Sequence, residues 1–223
     1  MHIPDGYLSP QTGGFFYIIM APLWIAASRI AKKTLKARQV PYLAFGASFV
    51  FIIMMFNIPI PGGSTGHAVG GTLVAILLGP WAAMIAITVA LVVQALLFGD
   101  GGVTAIGANC FNMAFALPFV GYYVYRLVSI GSSPRSIRRP IAAAIGAYLG
   151  INAAALLTGI QFGVQPLLYH TADGKALYCP YGLNVALPAM MLEHVLVFGW
   201  VEAIVTFLVI AYLQKEDPSL FSV

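Results

Sequence analysis

Apolar residues run along this chain in seven blocks, at roughly 14–31, 40–58, 68–79, 81–98, 103–125, 140–162 and 186–212. Between them lie short stretches where charged residues, glycines and prolines collect. Several blocks approach the ~20 apolar residues that a helix needs to cross a hydrocarbon core of about 30 Å. Backbone groups facing lipid must be satisfied within the spanning element, so runs of this length predict helices. The expectation is an all-α integral membrane protein, a seven-helix bundle forming one domain over 1–223. The third block, HAVGGTLVAILL, is the exception. At 1.5 Å per residue it reaches only about 18 Å, which predicts a short third helix, crossing or re-entrant. Gly79-Pro80 is its expected turn into the next block. Segments 1–13 and 59–67 are then loops at one face, and no internal repeat is evident.

Composition removes the soluble alternatives. The chain is 60% hydrophobic and 8% charged, against about 25% charged in soluble domains. A formal charge of +4 predicts no nucleic-acid partner, because that function needs a basic face on a soluble domain. The positive charges instead report topology. They cluster at Arg29, Lys32, Lys33, Lys36 and Arg38, and again at Arg126, Arg135, Arg138 and Arg139, and positive loops stay cytoplasmic. An even number of crossings must separate the two clusters, and blocks two to five supply it only if the short third block counts. This places the N-terminus, the 59–67 loop, Asp100 and the 163–185 loop outside, and Lys215 with the C-terminus in the cytoplasm. Lys175 alone breaks the pattern. MHIPDGYLSP has neither a positive start nor an apolar stretch, so no cleaved leader is expected and Met1 is expected to remain. Cys110 and Cys179 have no metal or disulfide spacing and are expected to pack.

The chemistry collects at the outer face. Met1-His2 presents an amine, a backbone amide nitrogen and an imidazole in succession, which can close a five- and then a six-membered chelate ring on one metal ion. A fourth donor is available from His67, at the end of the glycine-rich Pro61-Gly62-Gly63-Ser64-Thr65-Gly66. Four nitrogens in a plane suit Ni(II) or Cu(II) better than zinc, magnesium or calcium. The competing reading is ordinary: a histidine near a terminus is usually a solvated surface residue. Only four histidines exist, and two fall on the same predicted face. Asp5 and Ser64 are expected to brace this region, with Asp5 accepting from amides of the N-terminal turn or of the His67 loop. Asn109 and Asn112, three apart on a helix face, are expected either to brace the N-terminal segment or simply to tie helices together. Glu193, His194 and Glu202 are polar groups within the seventh block, expected to be structural or gating rather than ligating, since HExxH is absent. Gln94 and Gln161 are expected at helix contacts, and His170 and Asp173 in solvent. Ala27/Ala31, Ala44/Ser48 and Gly146/Gly150 offer close helix approach.

MHIPDGYLSP followed by PGGSTGHAVGG, with GANCFNMAFALPFVGYYVYR and LEHVLVFGWVEAIVTF later in order, resembles the CbiM/NikM family across essentially the whole chain. These are the substrate-capture S components of energy-coupling-factor (ECF) transporters for nickel and cobalt. The resemblance implies a seven-helix membrane protein in a prokaryotic cell membrane. It implies a square-planar site made by the Met1 amine, the His2 backbone nitrogen, the His2 imidazole and the His67 imidazole. It further implies a scaffold T component and two ATPase subunits as partners. Consistently, the chain has no phosphate-binding GxxxxGK[ST] loop. Fused relatives carry extra helices after the seventh block, so any small membrane subunit is expected to be separate. The bound ion is then cargo, with no catalytic cofactor. Nickel is favoured over cobalt by planar nitrogen donors, with a cobalt-specific subunit feeding cobalamin synthesis as the alternative. A stand-alone channel or secondary transporter would call for inverted repeats, and an intramembrane zinc hydrolase for an open zinc site with a base.

Overall fold

A computed structural model describes residues 1–35, 39–60 and 64–221. Lys36, Arg38 and Pro61-Gly62-Gly63 lie outside the described residues. The chain opens with an irregular segment that turns at Asp5-Gly6 and then forms α1 (Pro10–Thr34) and α2 (Val40–Met55). A two-stranded hairpin follows, β1 (Ile58–Ile60) and β2 (Ser64–Gly66), before the short α3 (Gly71–Leu78). Next come α4 (Pro80–Phe98), α5 (Ile106–Asn109 continuing through Cys110–Ala116 and Leu117–Ser129), α6 (Arg138–Leu168) and α7 (Leu183–Glu216). Seven helical elements among the described residues thus match the seven apolar blocks. Of these, α1, α4, α6 and α7 are long and apolar enough to cross a membrane, and α2 is a shorter apolar helix.

The boundaries shift for local reasons. α1 begins at Pro10 because Ser9 caps it, its hydroxyl accepting from Thr12 N–H at 3.0 Å, and proline is favoured at the first helical position. α2 stops at Met55, short of the block's end at 58, because Ile58–Ile60 pairs with Ser64–Gly66 in antiparallel register. The outer loop expected at 59–67 is therefore partly a hairpin, and the bundle is not purely α. α3 has eight residues, about 12 Å of helix, so it does not cross alone. Only Gly79, at φ +86°, separates it from Pro80, which makes the expected turn.

The helix surfaces divide as a membrane bundle requires. Phe15, Ile18, Phe45, Leu97, Leu127, Leu196 and Leu208 stand exposed, while alanine, glycine and methionine fill the interior. α5 and α6 touch at glycines: a Cβ on Gly146 would lie 2.4 Å from the Gly121 carbonyl oxygen, and one on Gly150 would lie 2.6 Å from that of Leu117. The Gly146/Gly150 pair thus packs as expected, as does the buried Ala27/Ala31, whereas Ala44 and Ser48 are exposed. Cys110 and Cys179 are buried free thiols. Three helices change pitch: π-helical stretches run Gln94–Phe98 in α4, Cys110–Ala116 in α5 and His194–Phe198 in α7. Each begins at or beside a residue of the polar site described next, and such stretches frequently mark functional positions.

Candidate metal centre

The N-terminal segment is buried: Met1, His2 and Ile3 are at most 4% exposed. It is held at alternate residues. Asn109 grips residue 3 at both ends, accepting from Ile3 N–H at 2.8 Å and donating to the Ile3 carbonyl at 3.1 Å. Gly102 N–H donates to that same carbonyl at 2.8 Å. Asp5 accepts from the amides of Val103 and Thr104 and from the Thr104 hydroxyl. Cys179 N–H donates to the Tyr7 carbonyl at 3.1 Å, and Ser9 N–H donates to Gln165 Oε1 at 2.9 Å. With residues 3, 5, 7 and 9 engaged the segment is fixed in place, and His2 lies against Gly101, a Cβ on which would stand 3.3 Å from its ring.

There it meets His67. The two imidazoles lie with centroids 4.6 Å apart at 30°, although the sequence separates them by 65 residues. His67 is fully buried. Its Nδ1 lies 3.1 Å from the Ala68 carbonyl, which can only accept, so Nδ1 carries the proton and Nε2 presents its lone pair. That Nε2 is buried without a hydrogen-bond partner among the described residues. Gln94 performs the equivalent task for His2. Its amide nitrogen points at Met55 Sδ and its Oε1 lies 3.3 Å from His2 Nε2. Gln94 Oε1 can thus accept from Nε2–H, while the other ring nitrogen, Nδ1, lies 3.4 Å from Asp100 Oδ1. Asp100 is in turn held by Asn57 Nδ2 at 3.3 Å. The Met1 amine donates to the Thr65 carbonyl, so the amine and both imidazoles share one enclosure.

Burial tunes these groups toward neutral nitrogen donors. It pushes the Met1 amine down to about 5, against the pull of Glu193 and Asp100. It pushes His2 down to about 3, with the neighbouring amine adding to the effect. His67 is likewise held well below the ordinary imidazole value, first by burial and then by the amine and His2. A metal needs deprotonated ligands, and these groups are deprotonated at neutral pH before any metal arrives. Asp5 differs. Its hydrogen bond from Thr104 holds its carboxyl below the usual value.

Several polar residues depart from expectation. Asp5 braces the 103–104 turn and not the His67 loop. Asn109 and Asn112 separate: Asn109 holds the N-terminal segment, while Asn112 exchanges hydrogen bonds at 2.8 Å with Gln161 and donates to Thr158 at 3.0 Å, tying α5 to α6. Two of the carboxylates of α7, Glu193 and Glu202, turn to the His67 segment. Glu202, buried, accepts from Val69 N–H at 2.8 Å and from Gly70 N–H at 2.9 Å. Glu193 packs against Gly66. His194 donates Nδ1 to the Met190 carbonyl at 2.8 Å. Ser64 lies in β2, paired across to Ile60. His170 and Asp173 are exposed, as expected. Sequence reasoning missed the contacts of Gln94, Asp100, Gly101 and Gly102 with the N-terminus. The signal was Gly99-Asp100-Gly101-Gly102 itself: Gly101 adopts φ +93°, and a Cβ on Gly102 would sit 2.4 Å from the Asp5 nitrogen. Among the described residues no three His, Cys, Asp or Glu side chains gather as a metal cluster.

The comparisons with known proteins agree with this architecture. A fused nickel transport protein of Rhodobacter capsulatus is 51% identical over the whole chain, and a probable fused nickel transport protein of Lactiplantibacillus plantarum is 54% identical over 98% of it. The chain spans 64% and 66% of those two proteins' lengths. A putative metal transport protein of Methanocaldococcus jannaschii is 49% identical, with 95% of its length covered. A crystal structure described as a truncated transition metal transporter superposes with a TM-score of 0.92 at 56% identity, covering 97% of this chain and 99% of that one. The model of the cobalt uptake substrate-specific transmembrane region matches residues 2–220. The chain, a multi-pass helical membrane protein with its N-terminal residues sealed beside His67, belongs to the CbiM family.

Proposed function

We propose that this chain captures nickel or cobalt at its outward face as the substrate-specific subunit of an ATP-driven ECF importer. The observation that carries this reading is the enclosure of the Met1 amine with two neutral imidazoles, one of which presents a buried and unbonded Nε2. The ligands are the Met1 amine, the His2 backbone nitrogen, His2 Nδ1 and His67 Nε2. The first three close five- and six-membered rings. The fourth crosses from the loop before α3. A planar set of nitrogens favours Ni(II), and low-spin Co(II) accepts the same geometry; fused relatives are named for nickel and the family model for cobalt. The scaffold component and two ATPase subunits supply the energy, with any small membrane subunit as a further partner.

Protein purified with a native, untagged N-terminus should hold about one Ni or Co ion per chain with a planar d–d absorption band. His67→Ala should weaken binding by more than about 100-fold, beyond the usual cost of losing a supporting residue. One residue inserted ahead of Met1 should abolish the planar band. Binding indifferent to both changes would overturn the ligand set. Metal uptake by liposomes holding this chain alone would instead support a stand-alone channel or secondary transporter.

A further inference from the structure

Two carboxylates on α7, Glu193 and Glu202, bracket the segment that carries His67, and they are treated differently. Glu202 is satisfied by the amides of Val69 and Gly70. Glu193 is not: both of its oxygens are buried and neither has a hydrogen bond among the described residues. Its Oε1 is 3.1 Å from His194 Nδ1, but that N–H already serves the Met190 carbonyl. Its Oε2 lies 2.6 Å from where a Cβ on Gly66 would stand, immediately before His67. Asp100, the other nearby carboxylate, is engaged by Asn57 and lies against His2. Holding a carboxylate out of water without hydrogen bonds is costly, and such groups persist where a cation compensates them.

The ligand set proposed above leaves such a cation. Three of its donors are neutral nitrogens, so even with the His2 amide deprotonated a bound divalent ion retains net positive charge in a buried place, where charges are weakly screened. We propose that Glu193 is the counter-charge of the captured metal ion, acting through space on the planar complex without joining it as a ligand. Gly66 is then the notch that admits the carboxylate, since any side chain there would meet Glu193 Oε2 and the Phe198 ring. This rests on the nitrogen-ligand reading, and the test separates the two.

Ni(II) is titrated into the full chain with its native N-terminus, as wild type and as Glu193→Gln, with affinity, the d–d band and the melting temperature of the metal-free protein recorded. The wild type should show the planar band. Glu193→Gln should keep that band while its Kd rises about 10- to 100-fold. The metal-free variant should melt no lower than the wild type, because an uncompensated buried charge has been removed. An unchanged Kd would overturn the inference, as would a shifted band, which would make Glu193 a ligand. Weaker binding with a lowered metal-free melting temperature would also overturn it, marking a packing role. A wild type without the planar band would defeat the nitrogen-ligand reading instead.

Discussion

At the scale of single residues, the proposed site makes predictions about the side chains that hold the N-terminal segment and His2 in place. Asn109 fixes both polar groups of Ile3, one residue beyond His2. Each lost hydrogen bond costs about 1 kcal/mol, so Asn109→Ala should weaken Ni(II) binding by roughly 10- to 100-fold. The fold should be retained, and calorimetric titration beside circular dichroism would check both. Gln94→Leu should have a comparable effect, because the Gln94 oxygen lies at hydrogen-bond distance from His2 Nε2. Asp5 adds a pH term. Its carboxyl is held below its ordinary value of 3.8, so its bracing is present above that pH and is lost as pH falls through the lowered value. Asp5→Asn should therefore weaken binding at neutral pH, and its deficit relative to wild type should shrink in acid.

At the scale of elements, the determining contact is between α7 and the loop leading into α3. The Glu202 carboxylate accepts from the Val69 and Gly70 amides immediately ahead of α3, where negative charge is favourable, and so fixes the backbone just after His67 and Ala68. Glu202→Gln, which keeps the shape but lowers the acceptor strength, should reduce both thermal stability and Ni(II) affinity. Gly66→Ala should act similarly by steric means: its Cβ would come 2.2 Å from the buried Phe198 ring, and overpacking of this kind costs about 1–3 kcal/mol. Thermal melts with and without Ni(II) would separate the loss of fold from the loss of site. The seven apolar blocks foreshadowed these elements well, because uniform hydrophobicity over ~20 residues has few solutions in lipid. The hairpin at Ile58–Gly66 did not show, since three-residue strands carry too few positions for an alternating pattern.

At the scale of the molecule, the charge pattern makes a topological prediction. With Cys110 and Cys179 replaced by alanine, Asp173→Cys should be labelled by an impermeant thiol reagent from outside intact cells. Arg135→Cys should be labelled only after the membrane is opened. The opposite pattern would invert the orientation, and labelling of both positions from one side would mean that α6, which lies between them, does not cross. On the proposed function, uptake should require scaffold and ATPase subunits, while capture should not.

The sequence by itself determined the class of protein, the number of helices and the identity of the histidine pair. Each of these follows from local composition, or from chelate ring sizes within adjacent residues. Family resemblance sharpened the last of these into a ligand set. Only the tertiary structure decided which polar residues stand around that pair. Asn109 and Asn112 look equivalent in sequence and diverge because one helix face meets the N-terminal segment and the other meets α6. Glu193 and Glu202 look equivalent and diverge because amides reach only one of them. Hydrogen-bond partners are set by distances across the bundle, and those distances exist only after the helices have packed.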